Sequence, residues 1–411
     1  MIEVIAQFFG NGDWWTRILW FVLIISFFLF YPKLMIYQLV QKLQIKVQEF
    51  EKMSNEAREE LVDMLEKKSE LPRKKIRENL DRMVDLFTVP PEDTDPAGVM
   101  KKIKRMYDIH DKRYRHFIGE ISDLEGGERK SFAAATVHAT AVQQIAKIVR
   151  HLLELVKETK NLQIGMILKM QIPFIEKQIK MLKDSVMCLA NEEPVGDSIG
   201  PMCAAAIIGD EEVEEIAEDH VCAEKEIEGR HVFITKPDGP SAVLGEIYDA
   251  IKKITDENDI DKIIPIDAKG MLKGEERGRV VEGVGFAMGP RGNAERHWIE
   301  DIAVEKDINI ESIGINQDPM EDVIRPMKKE IYESVPEVKE AVRRAVMRSP
   351  EGSNVIVAGI GITVGVGNNG NAVEEAKDVI EKNIEIMEQK KKEEEENKGL
   401  GEKISDWLTP Y

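Results

Sequence analysis

The chain has 411 residues, 43% of them hydrophobic and 32% charged, with 57 Lys and Arg against 76 Asp and Glu and a formal net charge of −19. That length and apolar content allow two or three packed domains and exclude a collagen-like, mucin-like or globally disordered chain. The acid excess argues against sequence-independent nucleic-acid binding, which needs cations facing phosphates; the three cysteines, Cys188, Cys203 and Cys222, have no CxxC spacing and suit a reducing compartment rather than a disulfide framework or zinc site.

Residues 1–32 form an N-terminal segment carrying the one long apolar run. It extends from Ile18 to Tyr31, with Trp14, Trp15 and Tyr31 as interfacial aromatics and Arg17 able to snorkel. No basic region precedes it and no small-x-small cleavage site follows, so the spacing predicts a retained membrane anchor and not a signal peptide. Lys33, Lys42 and Lys46 follow the run, whereas Glu3, Asp13 and Arg17 lie before it. The positive-inside bias therefore predicts a single-pass protein of the cell membrane with the bulk of the chain in the cytoplasm.

Residues 33–70 keep a heptad through Ile36, Val40, Leu43, Val47, Phe50, Ser54, Ala57, Leu61 and Met64. This is the a/d seam of a coiled-coil-like helix and predicts a homo-oligomer; the alternative is an amphipathic helix packed on its own domain. Leu71-Pro72 breaks the rod. A helical domain is expected over 71–190, with a turn at Pro90–Pro96, a break at Gly126-Gly127 and a kink at Pro173. His110, Asp111 and His116 share no helical face and read as part of a solvated basic helix, not as metal ligands.

The composition changes near Asn191. From 191 to 388, strand-like runs at His231–Thr235, Lys262–Asp267, Ile308–Ile315 and Asn354–Ala358 alternate with helical patterns at Val243–Ile254, Val323–Met347 and Val373–Met387. Such alternation predicts a mainly parallel, three-layer α/β domain with ligands at the carboxyl ends of its strands. Residues 389–411 form a charged tail with a short apolar patch at Ile404, Trp407 and Leu408.

Two strand–Gly-loop–helix units supply candidate ligand-binding residues: Lys236, Gly239, Ser241 and Gly245 in the first, Gly359, Gly361, Gly365 and Gly367 in the second. Such turns aim backbone N–H groups at an anion, though no Gly-Lys-Ser/Thr closes either loop. The alternative is that the glycines allow tight turns and close strand–helix approach. A second constellation is carboxylic. Asp197 lies in the turn Gly196–Pro201, and Asp267 ends an apolar strand, where it would enter the ligand crevice. Were they to meet, repulsion and burial would raise one pKa, and the pair would activate water. Alternatively, with His297, they would hold a divalent metal.

Gly-Asp-Ser-Ile-Gly-Pro at 196–201 followed by Ile-Asp-Ala at 266–268 resembles the spore-protease and hydrogenase-maturation-protease superfamily. The resemblance implies a phosphorylase/hydrolase-like fold. In the spore-protease branch it implies peptide hydrolysis by the acids that Asp197 and Asp267 match; in the maturation branch it implies a nickel site, with His297 as a loose match. Gly289-Pro290 and Ser312–Asn316 are similar to the stretch after that strand in a small spore-protease relative. The resemblance spans roughly 196–316 and has one departure. The superfamily opens with a strand and a Gly-x-Gly-Asn turn before the first acid, where residues 181–191 here read helical; a comparable strand and turn occur at 355–368, as if permuted. The whole chain also resembles a family of archaeal membrane-anchored proteins of unknown function. Three functions are thus expected of it: a membrane-anchored hydrolase with a protein or peptide substrate, a non-catalytic sensor binding a nucleotide or other anion, or a scaffold with a degenerate enzyme domain.

Overall fold

In the computed structural model, residues 14–83, 99–285, 288 and 292–397 are described. The apolar run and the heptad rod form one uninterrupted helix, α1 (Trp14–Glu66), about 80 Å long at the usual rise. It is the one helix among the described residues long and apolar enough to cross a membrane, and the apolar side chains of its first turns are exposed. Then follow α2 (Arg73–Met83), α3 (Val99–Ile121), α4 (Gly126–Thr159) and α5 (Leu162–Ala190), which includes Pro173. The Pro90–Pro96 turn, Gly289-Pro290 and the patch at Ile404, Trp407 and Leu408 lie outside the described residues.

By packing, the chain divides into two compact units, and α1, α4 and α5 contribute to both. The first unit comprises residues 1–55 and 143–179. Here the heptad seam is covered by the chain's own helices: Leu43, Val47 and Phe50 are buried together with Val149, Leu153, Val156, Leu168 and Ile172. A Cβ on Gly165 would lie 2.6 Å from Leu39 Cδ2, so α5 packs closely on α1 here and a larger residue would have to displace the Leu39 side chain. Lys46 Nζ reaches Glu176 at 3.0 Å, and Arg150 Nε donates to Glu51 at 2.7 Å, fixing the register. The expected oligomeric seam is therefore occupied internally, because α4 and α5 present complementary apolar stripes to it.

The second unit comprises residues 56–142 and 180–411. Residues 56–142 of the helical region are grouped in this unit with the sheet and the helices that cover it. Strands β1 (Glu214–Ala217), β2 (His220–Ile227), β3 (Arg230–Pro237), β4 (Lys262–Gly270), β5 (Val280–Val284), β6 (Asn309–Gln317) and β7 (Asn354–Gly359) form one seven-stranded sheet in the order β1-β2-β3-β7-β4-β6-β5. The central run β3-β7-β4-β6 is parallel, and β1, β2 and β5 are joined antiparallel at its margins.

Period-two alternation sends Val232, Ile234, Ile264, Ile266, Val355 and Val357 to one face. There they meet α6 (Ile199–Ile208), α9 (Val335–Met347) and α10 (Asn371–Asn397). Phe233, Ile263, Ile356 and Ala358 go to the other face, against α7 (Ile247–Glu257) and α8 (Asn293–Glu305). Both faces are covered, as a parallel sheet requires. A third core joins the end of α1 to α2, α3, α4 and α5, and takes in Val195, Ala242 and Val364 from loops at the sheet's carboxyl edge.

Candidate active site

The carboxyl ends of β4 and β7 lie side by side. The Ile360 N–H donates to Ile266 O at 2.9 Å, one residue before Asp267. The first turn of α6 rests on this junction. A Cβ on Gly200 would lie 2.1 Å from Ile360 O and 2.5 Å from Ile266 O, so only glycine permits the approach. Immediately before α6, Gly196–Ser198 form a single turn of 3₁₀ helix. That turn is held by Asp197 N–H donating to Val323 O at 2.7 Å and by Gln317 Nε2 donating to Gly196 O at 2.8 Å.

Asp197 is thereby presented to the end of β7. Its Oδ2 accepts the Ile362 N–H at 2.9 Å, a partner on the loop after that strand, and the N-cap of α6 has no side-chain cap bond. Asp197 therefore does not act as a local helix cap. The loop that follows the strand at 354–359 thus lies beside Asp197. Asp267 is 8% exposed and its Oδ1 accepts the following Ala268 N–H.

Both carboxyls open on one cavity of about 410 Å³. Asp197 is half-buried, and burial pushes it up to about 6 against the opposing Ile362 N–H. Asp267 is raised well above the usual carboxylate range, first by burial and then by the charge of Asp197. Two acids so placed hold one proton between them more easily than none. A carboxylate to accept a proton from water and a carboxylic acid to donate a hydrogen bond are thus present together.

The opposite wall comes from α3 and α4, a region whose sequence suggested packing alone. Lys104 bridges Glu295 at 3.1 Å and Asp108 at 3.3 Å, and also pairs with Glu246. Arg115 and Lys130 both pair with Asp219, and Lys112 reaches Glu218 at 3.3 Å. Each of these cations thus already carries a carboxylate. The rest of the lining is mostly apolar, including Val137, Leu244, Ile247, Ile360 and Ile362.

The Gly-rich loops meet a different fate from an open anion cradle: they bind each other. Lys236 is fully buried, and its Nζ donates to Pro237 O at 2.8 Å and Asn368 Oδ1 at 2.6 Å. The same Asn368 Oδ1 accepts the Gly239 N–H at 2.9 Å, and Gly365 N–H donates to Pro240 O at 2.9 Å. Ser241 is buried, with its carbonyl accepting from Thr363 Oγ1 at 2.8 Å, and Gly367 abuts Ala372. Only Gly245, Gly359 and Gly361 of the eight candidates reach the cavity wall, and each is pressed against backbone, at Asp219, Gly200 and Asp197 respectively.

His297 is not brought to the acids. It lies on α8 with its side chain 59% exposed, 3.6 Å from Asp301 one turn on, because the helix turns its apolar face to the sheet and leaves position 297 outside. Among the described residues no group of three or more His, Cys, Asp or Glu could hold a metal ion, so the expected His297–Asp197–Asp267 set does not form. His110 lies 3.4 Å from Asp111, and His116 pairs with Glu120. Sequence reasoning passed over one other residue, His220 at the start of β2, which lines the cavity. Its only signal was the alternation that follows it, Val221, Ala223 and Lys225 against Cys222, Glu224 and Glu226.

Residues 17–191 match the family model of the protein of unknown function (DUF1512) N-terminal domain, and residues 195–367 match that of the domain of unknown function (DUF1512) C-terminal. The chain belongs to the DUF1512 family. No curated protein matches it. The two DUF1512 matches meet between residues 191 and 195, directly before the 3₁₀ turn that carries Asp197. The candidate pair itself lies wholly in the C-terminal match, whereas the wall formed by α3 and α4 lies in the N-terminal one.

Proposed function

We propose that this protein is a single-pass, membrane-anchored hydrolase with its bulk in the cytoplasm, in which Asp197 and Asp267 form a water-activating pair of the aspartic-peptidase type. The observation that carries the reading is the convergence of two carboxyls, from separate elements, on one largely apolar cavity at the carboxyl edge of a parallel sheet. Asp197, the less strongly shifted acid, accepts the proton of the attacking water. Asp267 is the protonated partner and donates to the carbonyl oxygen of the scissile bond. The phosphorylase/hydrolase-like fold and the spore-protease resemblance belong to this same reading, supported by the adjacency of β7, its turn and Asp197.

The anion-binding alternative draws less support, since Lys104, Lys112, Arg115 and Lys130 are already paired. A direct test is hydrolysis of blocked apolar peptides by the full chain in detergent. Asp197→Asn and Asp267→Asn are each expected to lower the rate by about 10²–10⁴-fold, the usual worth of positioned acid–base groups. Undiminished hydrolysis in either variant would refute the pair.

A further inference from the structure

The hairpin that carries His220 is fixed from every side. β1 and β2 pair at Ala217 and His220, which leaves Glu218-Asp219 as the turn, with Asp219 in the left-handed region at φ 56°. The Asp219 carboxylate is gripped by Arg115 from α3 and Lys130 from α4. Its carbonyl accepts the Asp238 N–H at 2.9 Å, and Glu246 N–H donates to Glu218 O at 3.2 Å.

The imidazole held by this frame is fully buried and lines the same cavity as Asp197 and Asp267. Neither Nδ1 nor Nε2 has a hydrogen-bond partner among the described residues. Buried polar groups are nearly always paired, and one that faces a cavity is suited to pairing with what enters it. Burial, and then the charge of Lys236, lowers His220 to about 3, so the ring is neutral at physiological pH. A neutral imidazole presents one N–H donor and one acceptor nitrogen. The complementary ligand group is an uncharged donor or acceptor, and a peptide amide carries both, so that its N–H can donate to the acceptor nitrogen of the ring. The paired state of the surrounding cations and the apolar lining select against an ionic ligand. The volume of about 410 Å³ lies within the range of pockets for small ligands, on the order of 300–1,000 Å³, and suits a short peptide segment.

We propose that His220 is a substrate-binding residue: its imidazole receives one amide group of an uncharged, apolar peptide segment lying in the cavity beside Asp197 and Asp267. The inference rests on the hydrolase reading only in taking that segment as the substrate.

The test compares binding of N-acetyl-leucyl-leucine amide with that of the ester analogue in which oxygen replaces the central N–H. Binding is measured calorimetrically on the full chain in detergent, with Asp267→Asn in every sample to suppress turnover. The amide is expected to bind about tenfold more tightly than the ester. His220→Leu is expected to abolish that preference, and His220→Gln, which keeps a donor and an acceptor, to retain part of it. In the chain with His220 intact, the ¹⁵N signals of its ring are expected to move when the amide probe is added, a readout independent of the folding of the Leu variant. Equal affinities for the two probes, an undiminished preference in His220→Leu, unmoved ring signals or no binding of either probe would each overturn the proposal. A preference that depends on His220 in a chain that cleaves no peptide, with Asp267 intact, would support the binding role while refuting the acid pair. Cleavage with a preference insensitive to His220 would do the reverse.

Discussion

Burial and mutual charge act on Asp197 and Asp267 in the same direction, and this links the candidate chemistry to stability. Asp197 is raised from 3.8 in the unfolded chain to about 6 in the folded one. Such a group contributes nothing unfavourable below about pH 4, where it is protonated in both states, and progressively destabilises the fold as pH rises through its folded value. Asp197→Asn, which removes the charge and can still accept the Ile362 N–H, is therefore expected to leave stability unchanged near pH 4. Its advantage should grow between about pH 4 and 6 and reach on the order of 1–3 kcal/mol above that. Thermal unfolding across that range checks it; a constant difference at every pH would contradict it. The same values give the hydrolysis rate a rising limb near pH 6, where Asp197 ionises, and a fall at higher pH, where Asp267 loses its proton. Asp267 was legible in the sequence because an acid ending an apolar strand marks the ligand edge of an α/β sheet. His220 was not, since the preceding acidic run Glu211–Glu218 conceals β1 and the hairpin turn that aims it.

At the scale of elements, the site depends on how closely α6 approaches the β4–β7 junction. The Cβ of Gly200→Ala would meet two backbone carbonyl oxygens, neither of which can move without shifting a strand. The substitution is expected to cost about 1–3 kcal/mol, as overpacking does, and to lower hydrolysis by separating the two acids. Full activity with unchanged melting would contradict this account of the junction. The four parallel strands were legible from their apolar runs. The antiparallel strands β1, β2 and β5 were not, because charged residues and glycine interrupt their apolar positions and dilute the alternation. The heptad of α1 was equally plain, but periodicity shows only that a face is apolar; whether the same chain or a second copy covers it depends on distant segments, here α4 and α5. Phe50→Glu is accordingly expected to destabilise the fold by several kcal/mol by burying an unpaired charge. Analytical sedimentation and melting distinguish this from an interface. A well-folded variant that merely dissociates would restore the oligomeric seam.

At the scale of the molecule, the apolar run at the start of α1 and the cavity belong to different parts of one chain. The full chain is expected to fractionate with membranes and resist carbonate extraction, and removal of residues 1–33 to release it, since the first turns of α1 have no buried apolar contacts. Full-length protein found only in the soluble fraction would end that reading. Composition marked a change near Asn191, close to where the two family matches meet. It did not reveal that helices from before that point complete the cavity. The reason is physical: Lys104, Arg115 and Lys130 look like a solvated basic face until the acids that neutralise them, Glu246, Glu295 and Asp219, are brought in from the far side of the sequence.

The most direct measurement is a pH titration of the Asp267 carboxyl by ¹³C NMR, in the unsubstituted chain and in Asp197→Asn. The account requires Asp267 to titrate well above the usual carboxylate range and to move downward when the neighbouring charge is removed, with Asp197 in the parent titrating near pH 6. An Asp267 that titrates in the ordinary range, or at the same pH with and without the Asp197 charge, would show that the two acids do not share a proton and would contradict the proposed site.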